Sequence, residues 1–187
     1  VSRLLELSRI EAATEEMVEV ALGSLIARVI HRTHSEQQPV RWRDRQLLSP
    51  PAAPPRQPTP HREPAPGQSR GQHIQAGRLR CRPADVERAL LNLVENALRF
   101  SPPGEAVEIS VEPTQRWLAI AVTDHGPGVA SDERERIFQR FYTTDVERSG
   151  TGLGLAIARS VARSHGGDVV VSDRGPGATF IMTLLCE

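Results

Sequence analysis

Eight of the seventeen residues from Pro50 to Pro66 are proline, a density that neither a helix nor a central strand tolerates. Each ring fixes φ and removes a backbone donor, so this stretch is expected as an extended, polyproline-like or disordered loop. Whatever folds must therefore be assembled from the chain on either side of it. The surrounding segment 39–82 is also basic, with nine arginines against Asp44 and Glu63. Two readings of it stand: a docking segment for an acidic or SH3-like partner, or a solvated insertion. Short strands are expected to flank it near 40–42 and 78–82.

With 187 residues and 39% hydrophobic content, the chain suits one domain of ordinary size plus appendages. A net charge of zero points away from nucleic acid as a bulk electrostatic partner. No run approaches the roughly 18 apolar residues of a membrane helix, and residues 1–12 lack the apolar core of a signal peptide. The two cysteines, Cys81 and Cys186, lack metal-ligand spacing and suit a reducing compartment, so a cytoplasmic location is expected. All 23 basic residues are arginine. Without lysine there is neither a Walker A loop nor the strand lysine of ordinary protein kinases, so any ATP chemistry must use another architecture.

Leu4, Leu7 and Ile10 recur at helical spacing in 1–12, and Leu22, Leu25, Ile26, Val29 and Ile30 predict a helix over 16–33. Beyond the proline stretch, a helix is expected over 83–100 and alternating strands over 106–111 and 117–124. A helix over 132–141 follows, with Asp132 and Glu135 at capping-box spacing. Residues 142–153 form a Gly/Thr/Ser loop, 155–165 a helix closed by Gly166 and Gly167, and 168–173 and 178–185 strands. This order predicts an α+β two-layer sandwich, a mixed, mostly antiparallel sheet with helices on one face.

Three places carry chemistry. On the 83–100 helix, Leu90, Leu91, Leu93, Val94, Ala97 and Leu98 fill one side, while Asn92, Glu95, Asn96 and Arg99 fill the other. Asparagine is a poor helix former, but its neutral carbonyl oxygen is a hard ligand suited to Mg²⁺, and Arg99 suits a phosphate. On the 117–124 strand, Asp124 shares a side with Leu118, Ile120 and Val122. A carboxylate there needs a donor, and a purine amino group is a natural one; capping of a turn is the plainer alternative. Finally, Gly150-Thr-Gly-Leu-Gly154 runs straight into a helix, an arrangement of N–H groups suited to phosphates. It fails as a dinucleotide fingerprint, since no strand leads into it and its third glycine is misplaced. Together these describe one pocket: purine to Asp124, Mg²⁺ to Asn96, phosphates to the 150–154 turn and Arg99.

These residues resemble the motif boxes of sensor histidine kinases. Asn92-Leu-Val-Glu-Asn-Ala-Leu-Arg-Phe-Ser101 is similar to the N box, and Asp124-His-Gly-Pro-Gly128 to the G1 box. Ile137-Phe-Gln-Arg-Phe-Tyr142 is similar to the F box, Gly150-Thr-Gly-Leu-Gly-Leu-Ala156 to the G2 box, and Gly175-Pro-Gly-Ala-Thr-Phe180 to the last glycine box. They follow family order and spacing from about residue 83 to 185. Leu4–Ala12 resembles the end of the kinases' dimerisation hairpin.

The resemblance implies the Bergerat (GHKL) ATP-binding fold shared with gyrase and mismatch-repair ATPases. Residues 1–13 would end the dimerisation and phosphoacceptor hairpin, 14–38 would be a connecting helix, 39–77 the Pro/Arg-rich insertion, and 78–187 the catalytic domain. ATP and Mg²⁺ would be the cofactors, with Asn96 on the metal, Asp124 on the adenine amino group, Asn92 and Arg99 on the phosphates, and Phe100 beside the adenine. Asn92, Asn96 and Arg99 would be the catalytic set. The nucleotide-binding set would extend to Gly126, Gly128, Val129, Gly150, Thr151, Gly152, Leu153, Gly154, Leu155 and Thr179. Residues 142–153 would form the mobile ATP lid, its base anchored by Phe138 and Phe141, which are also ordinary core aromatics. In the related hydrolases a glutamate one turn before the metal asparagine activates water. Asn92 stands at that position here, favouring transfer to a side chain over hydrolysis.

The sequence departs from the family in two ways. The acceptor motif, a histidine followed by an acidic residue and later a proline, is missing, since His31, His34, His61 and His73 lack that context. His125 sits at a variable box position, and His165 is expected to cap its helix C-terminus as a partly positive imidazole. The kinases also usually have a strand where this chain has its proline-rich stretch. The expected activity is therefore transfer of the ATP γ-phosphoryl to a histidine on a hairpin outside this sequence, then to a response regulator receiver domain. The parent would be a homodimer through a four-helix bundle, and the resemblance leaves an anchor in the cell membrane open. A GHKL ATPase, an anti-sigma-type serine kinase and a non-catalytic interaction module are the rival readings.

Overall fold

A computed structural model describes residues 16–33, 38–44, 78–113, 116–143, 151–172 and 177–186. The expected helix at 1–12, the proline-rich stretch and most of the 142–153 loop lie outside these residues. The elements, in chain order, are β1 (Val18–Ala21), α1 (Leu22–Thr33), β2 (Val40–Asp44), β3 (Arg78–Cys81), α2 (Pro83–Phe100), β4 (Val107–Pro113) and β5 (Trp117–Thr123). A 3₁₀ turn (Arg136–Phe138), α3 (Gly154–Ser164), β6 (Val169–Ser172) and β7 (Thr179–Leu185) complete them.

Helix α2 shows how closely local chemistry sets a boundary. Pro83 stands in its first turn, where the missing N–H has no partner to lose. It ends at Ser101, whose N–H still reaches Ala97 O at 2.9 Å but whose backbone is extended. Pro102 follows, and a residue before proline is pushed out of the helical region. The helix buries Leu90, Leu93, Val94 and Ala97 completely.

The main sheet runs β2-β4-β5-β7-β6, with β2 parallel to β4 and the other pairs antiparallel. Period-two alternation sends Val107 and Ile109 of β4, Ile120 and Val122 of β5, and Met182 and Leu184 of β7 to one face, all at zero exposure. The helices close that face with Leu25, Ile26 and Val29 of α1, the buried side of α2, and Ile157, Ala158 and Val161 of α3. Each fully buried Leu or Ile stabilises this layer by about 1.5–3 kcal/mol. The result is the expected α+β sandwich.

Two expectations are corrected. Residues 16–33 are not one helix: 18–21 form β1, which pairs antiparallel with β3, Val18 opposite Cys81 and Ala21 opposite Arg78. Residues 132–141 also do not form a helix, only turns and the single 3₁₀ turn. The segment Asp-Glu-Arg-Glu-Arg offers no apolar stripe, and a nucleus this short is unfavourable without one. Its capping-box glutamate is spent elsewhere, Glu135 accepting a 2.9 Å bond from Arg159.

The start of α2 is tied to the end of α3. Arg82 Nε donates to Asp85 Oδ2 at 2.8 Å and Nη2 to Ser164 Oγ at 2.6 Å, while the Arg82 backbone N–H donates to His165 Nε2 at 3.1 Å. This fixes the two helices that carry adjoining walls of the site.

Candidate active site

The polar side of α2 faces a cleft, not bulk solvent. Asn92 is nearly buried, and its Nδ2 donates to Arg88 O at 3.0 Å, one turn back. Its Oδ1 lies against Gly154, the first residue of α3, where a Cβ would stand only 3.0 Å away. Glycine at 154 thus lets the N-terminus of α3 approach the asparagine closely. Asn96, one turn further along α2, borders the same cleft and spends its amide on no hydrogen bond among the described residues. Arg99 and Phe100 continue the wall.

Opposite them stands Asp124, 2% exposed at the end of β5. The N–H groups of Gly126 and Ala178 both donate to its Oδ1, each at 2.9 Å. Bonds of this kind offset the cost of burying a carboxylate. The third wall comes from Thr151, Gly152, Gly154 and Leu155, where backbone N–H groups at the head of α3 are unspent by the helix ladder. The space between encloses about 140 Å³. One water needs only about 10–15 Å³ measured this way, so the cleft has room for a ligand.

Of the residues singled out from sequence, Asn92, Asn96, Arg99, Phe100, Asp124, Gly128, Val129, Thr151, Gly152, Gly154 and Leu155 line this one cavity. Others sit behind it. Gly126 supports Asp124, Leu153 is buried in the core, and Thr179 pairs hydroxyls with Thr123 at 3.1 Å within the sheet. Phe138 is 8% exposed, packed edge-on to Phe180 at 6.5 Å and covered by the Arg159 guanidinium at 4.7 Å. Phe141 departs from expectation: the residue is 60% exposed, so it is no core aromatic and its packing holds little. Its backbone does the holding, through an N–H bond to Gly152 O at 2.9 Å. Gly150 lies outside the described residues.

Several lining residues were not among the site residues expected from sequence: Glu133 and, although they lie within the quoted boxes, Ile137, Tyr142, Ala178 and Phe180. Tyr142 donates to Glu133 Oε1 at 3.0 Å, with the Arg136 guanidinium 5.0 Å from its ring. Glu133 lies in a polar turn without periodicity, and Tyr142 closes the F box, whose resemblance assigned it no contact of its own. His165 also differs from expectation. Its Nδ1 lies 2.8 Å from Val161 O, and Nε2 accepts from Arg82 N, an arrangement that requires a neutral ring with the proton on Nδ1. Burial pushes its pKa down, reinforced by Arg82 and only partly opposed by the Val161 bond.

Residues 81–187 match the family described as histidine kinase-, DNA gyrase B- and HSP90-like ATPase. The chain belongs to this ATPase family. Over 104 residues it is 43% identical to the adaptive-response sensory kinase SasA of Prochlorococcus marinus, covering 53% of this chain and 27% of that protein. Over 101 residues it is 46% identical to the sensor-like histidine kinase SenX3 of Mycolicibacterium smegmatis, covering 51% and 26%. The chain thus spans about a quarter of the length of the curated relatives it matches. Two solved structures share the fold. The mycobacterial sensor histidine kinase MprB has a TM-score of 0.68 at 22% identity, covering 91% of this chain and 98% of its own. The catalytic domain of histidine kinase ThkA has 0.69 at 22%, covering 92% and 97%.

The donor set of this ATPase domain fits a magnesium ion held jointly with phosphates. Asn96 offers an uncommitted hard oxygen, and no cluster of three His, Cys, Asp or Glu side chains able to hold a metal occurs among the described residues. One or few protein oxygens completed by phosphate and water is the usual arrangement for Mg²⁺, which keeps much of its hydration. No helix among the described residues is long and apolar enough to cross a membrane.

Proposed function

We propose that this chain carries the ATP-binding catalytic domain of a two-component sensor histidine kinase. The observation that carries the reading is convergence: Asn96, Asp124 and the Gly152–Gly154 turn come from three separate stretches of sequence and border one cleft. In this reading Asp124 accepts from the adenine amino group and Phe100 and Val129 flank the base. The α3 N-terminus, the 151–154 backbone and Arg99 hold the phosphates, and Asn96 Oδ1 is the protein ligand for Mg²⁺. The metal, when bound, neutralises charge on the transferring phosphoryl group. The protein's own contribution is positioning and preorganised donors. Asn92, committed to Arg88 O and packed on Gly154, is no base for water, which favours a protein acceptor.

That acceptor would be a histidine on the dimerisation hairpin of the parent chain or a second protomer, and the next recipient a response regulator receiver domain. The parent is proposed to be a homodimer with this domain in the cytoplasm. The supporting facts are the kinase relatives over 101–104 residues and the absence of any acceptor-type histidine motif in the 187 residues.

Titration of the wild type and Asn96→Ala with ATP and Mg²⁺ tests the pocket. The wild type is expected to bind, with metal-dependent affinity, and the variant to lose the metal dependence. Binding by neither supports the non-catalytic module. Incubation with γ-labelled ATP should leave the chain unlabelled; strong self-labelling overturns the assignment of the acceptor elsewhere, and rapid phosphate release favours an ATPase.

A further inference from the structure

The carboxylate of Asp124 is fixed in rotation as well as in place. Both main-chain donors, Gly126 N–H and Ala178 N–H, sit on the same oxygen, Oδ1, at 2.9 Å. The Asp124 N–H in turn donates to Ala178 O at 2.9 Å, so residues 124 and 178 are locked by bonds in both directions. With Oδ1 occupied twice, Oδ2 is the oxygen left for the cleft that Asp124 borders.

This arrangement depends on how closely the chain before Ala178 passes the aspartate. A Cβ built on Gly177 would collide with Asp124 Oδ1, and would lie 2.6 Å from both Asp124 O and Gly126 N. Two of these three neighbours are backbone atoms and cannot swing aside as a long side chain does. Gly177 itself does not border the cavity. Its chemistry is the absence of a side chain, which allows the 177–178 main chain to reach the carboxylate.

We propose that Gly177 is a positioning residue for nucleobase selection: by admitting the Ala178 N–H to Asp124 Oδ1, it holds Oδ2 toward the base as a pure acceptor. The inference rests on the reading that Asp124 receives a purine amino group. A 6-aminopurine meets Oδ2 with a donor, whereas a 6-oxopurine meets it with another acceptor and leaves both groups unpaired.

A second consequence follows for Asp124→Asn. Two N–H donors at the Oδ1 position can be satisfied only by the amide oxygen. The amide nitrogen must then occupy the Oδ2 position and present a donor to the base. This isosteric change should turn the preference from 6-amino to 6-oxo.

The experiment measures binding of ATP and inosine triphosphate, which differ at the purine 6-position and the adjacent ring proton, by the wild type, Asp124→Asn and Gly177→Ala, each checked for cooperative melting. The wild type should prefer ATP by roughly 10-fold or more, as expected for one satisfied against one unsatisfied buried pairing. Asp124→Asn should prefer inosine triphosphate, and Gly177→Ala should lose ATP affinity by roughly 10- to 100-fold, its discrimination falling toward unity. A folded Gly177→Ala with wild-type affinity and selectivity, or an Asp124→Asn that still prefers ATP, overturns the inference while leaving the proposed function standing. Should Gly177→Ala fail to fold, Asp124→Asn decides. A folded wild type that binds neither nucleotide overturns the proposed function and this inference with it.

Discussion

Phe141 and Gly152 face each other in the left-handed backbone region, at φ 65° and 64°, and the Phe141 N–H donates to Gly152 O at 2.9 Å. This bond joins the two stems of the 142–153 loop beside the cleft. A non-glycine residue in that region carries roughly 1–2 kcal/mol of strain, so Phe141 is held there by its partner.

Gly152→Ala should therefore act on the site more than on the fold. A Cβ at 152 would lie 2.5 Å from the Phe141 carbonyl carbon and 2.9 Å from Tyr142 N, both backbone atoms. The stems must part, displacing Tyr142 and the 151–154 backbone together. Calorimetry should show ATP affinity reduced by about 10-fold or more, corresponding to roughly 1.4 kcal/mol. The main unfolding transition, set by the sheet and α2, should move by only a few degrees. An unchanged affinity would show that the stems are coupled to nothing in the cleft.

Arg159 gives a second prediction, on stability. Its side chain is 14% exposed. Nε and Nη2 reach Asp168 Oδ1 and Oδ2 at 2.8 and 3.2 Å, Nη1 reaches Glu135 at 2.9 Å, and the guanidinium covers Phe138 at 4.7 Å. One residue of α3 thus holds the start of β6 and the 3₁₀ turn. Glu135 is 79% exposed and adds little, but the bidentate Asp168 pair is half-shielded. Arg159→Met, which keeps the stem and removes the fork, should cost about 1–2 kcal/mol in urea unfolding at pH 7. Burial alone would raise the pKa of Asp168, yet its bonds to Arg159, Arg163 and the Val169 N–H together hold it below 3.8. That contribution is present above the unfolded value and is lost as pH falls through the lower folded one. The gap between wild type and variant should therefore narrow below about pH 3.8; a gap unchanged by acid would remove the Asp168 pairing as its cause.

What the sequence made legible follows from where the signal is local. Helix α2 could be read to its exact ends because its stripe, Pro83 and Pro102 all lie within twenty residues of one another. The burial of Asp124 could be read because period two carries Leu118, Ile120 and Val122 to the same side. Strand β1 could not, because the strong helical stripe of Leu22–Ile30 abuts it and its partner, Arg78–Cys81, lies across the proline-rich stretch. The Asp132–Glu135 spacing looked like a helix start, but Glu135 is bound by Arg159 and the adjoining Glu133 by Tyr142, contacts that depend on tertiary proximity. Nor does any local rule announce a phenylalanine at positive φ. The left-handed backbone of Phe141 is explained only once Gly152 is beside it.

His165 supplies the last prediction. It closes α3 with Nδ1–H on Val161 O and accepts the Arg82 backbone N–H on Nε2, at 5% exposure. Protonation would put a second hydrogen on Nε2, opposite an N–H that can only donate, and a charge beside Arg82. The Nδ1–H bond to Val161 O and the Asp85 carboxylate oppose this, but burial outweighs them, and Asp85 is already engaged by Arg82 Nε at 2.8 Å. The folded ring therefore stays neutral to lower pH than the unfolded one, whose ordinary value is 6.5. The unfolded chain then binds the extra proton first, so stability is complete above about pH 6.5 and is lost as pH falls below it toward the depressed folded value. Urea unfolding at pH 7.5 and 5.5 should show the wild type weaker at the lower pH. His165→Gln, whose amide does not titrate, should be less stable at pH 7.5 but show a smaller drop. An equal drop in both proteins would place the titrating group elsewhere.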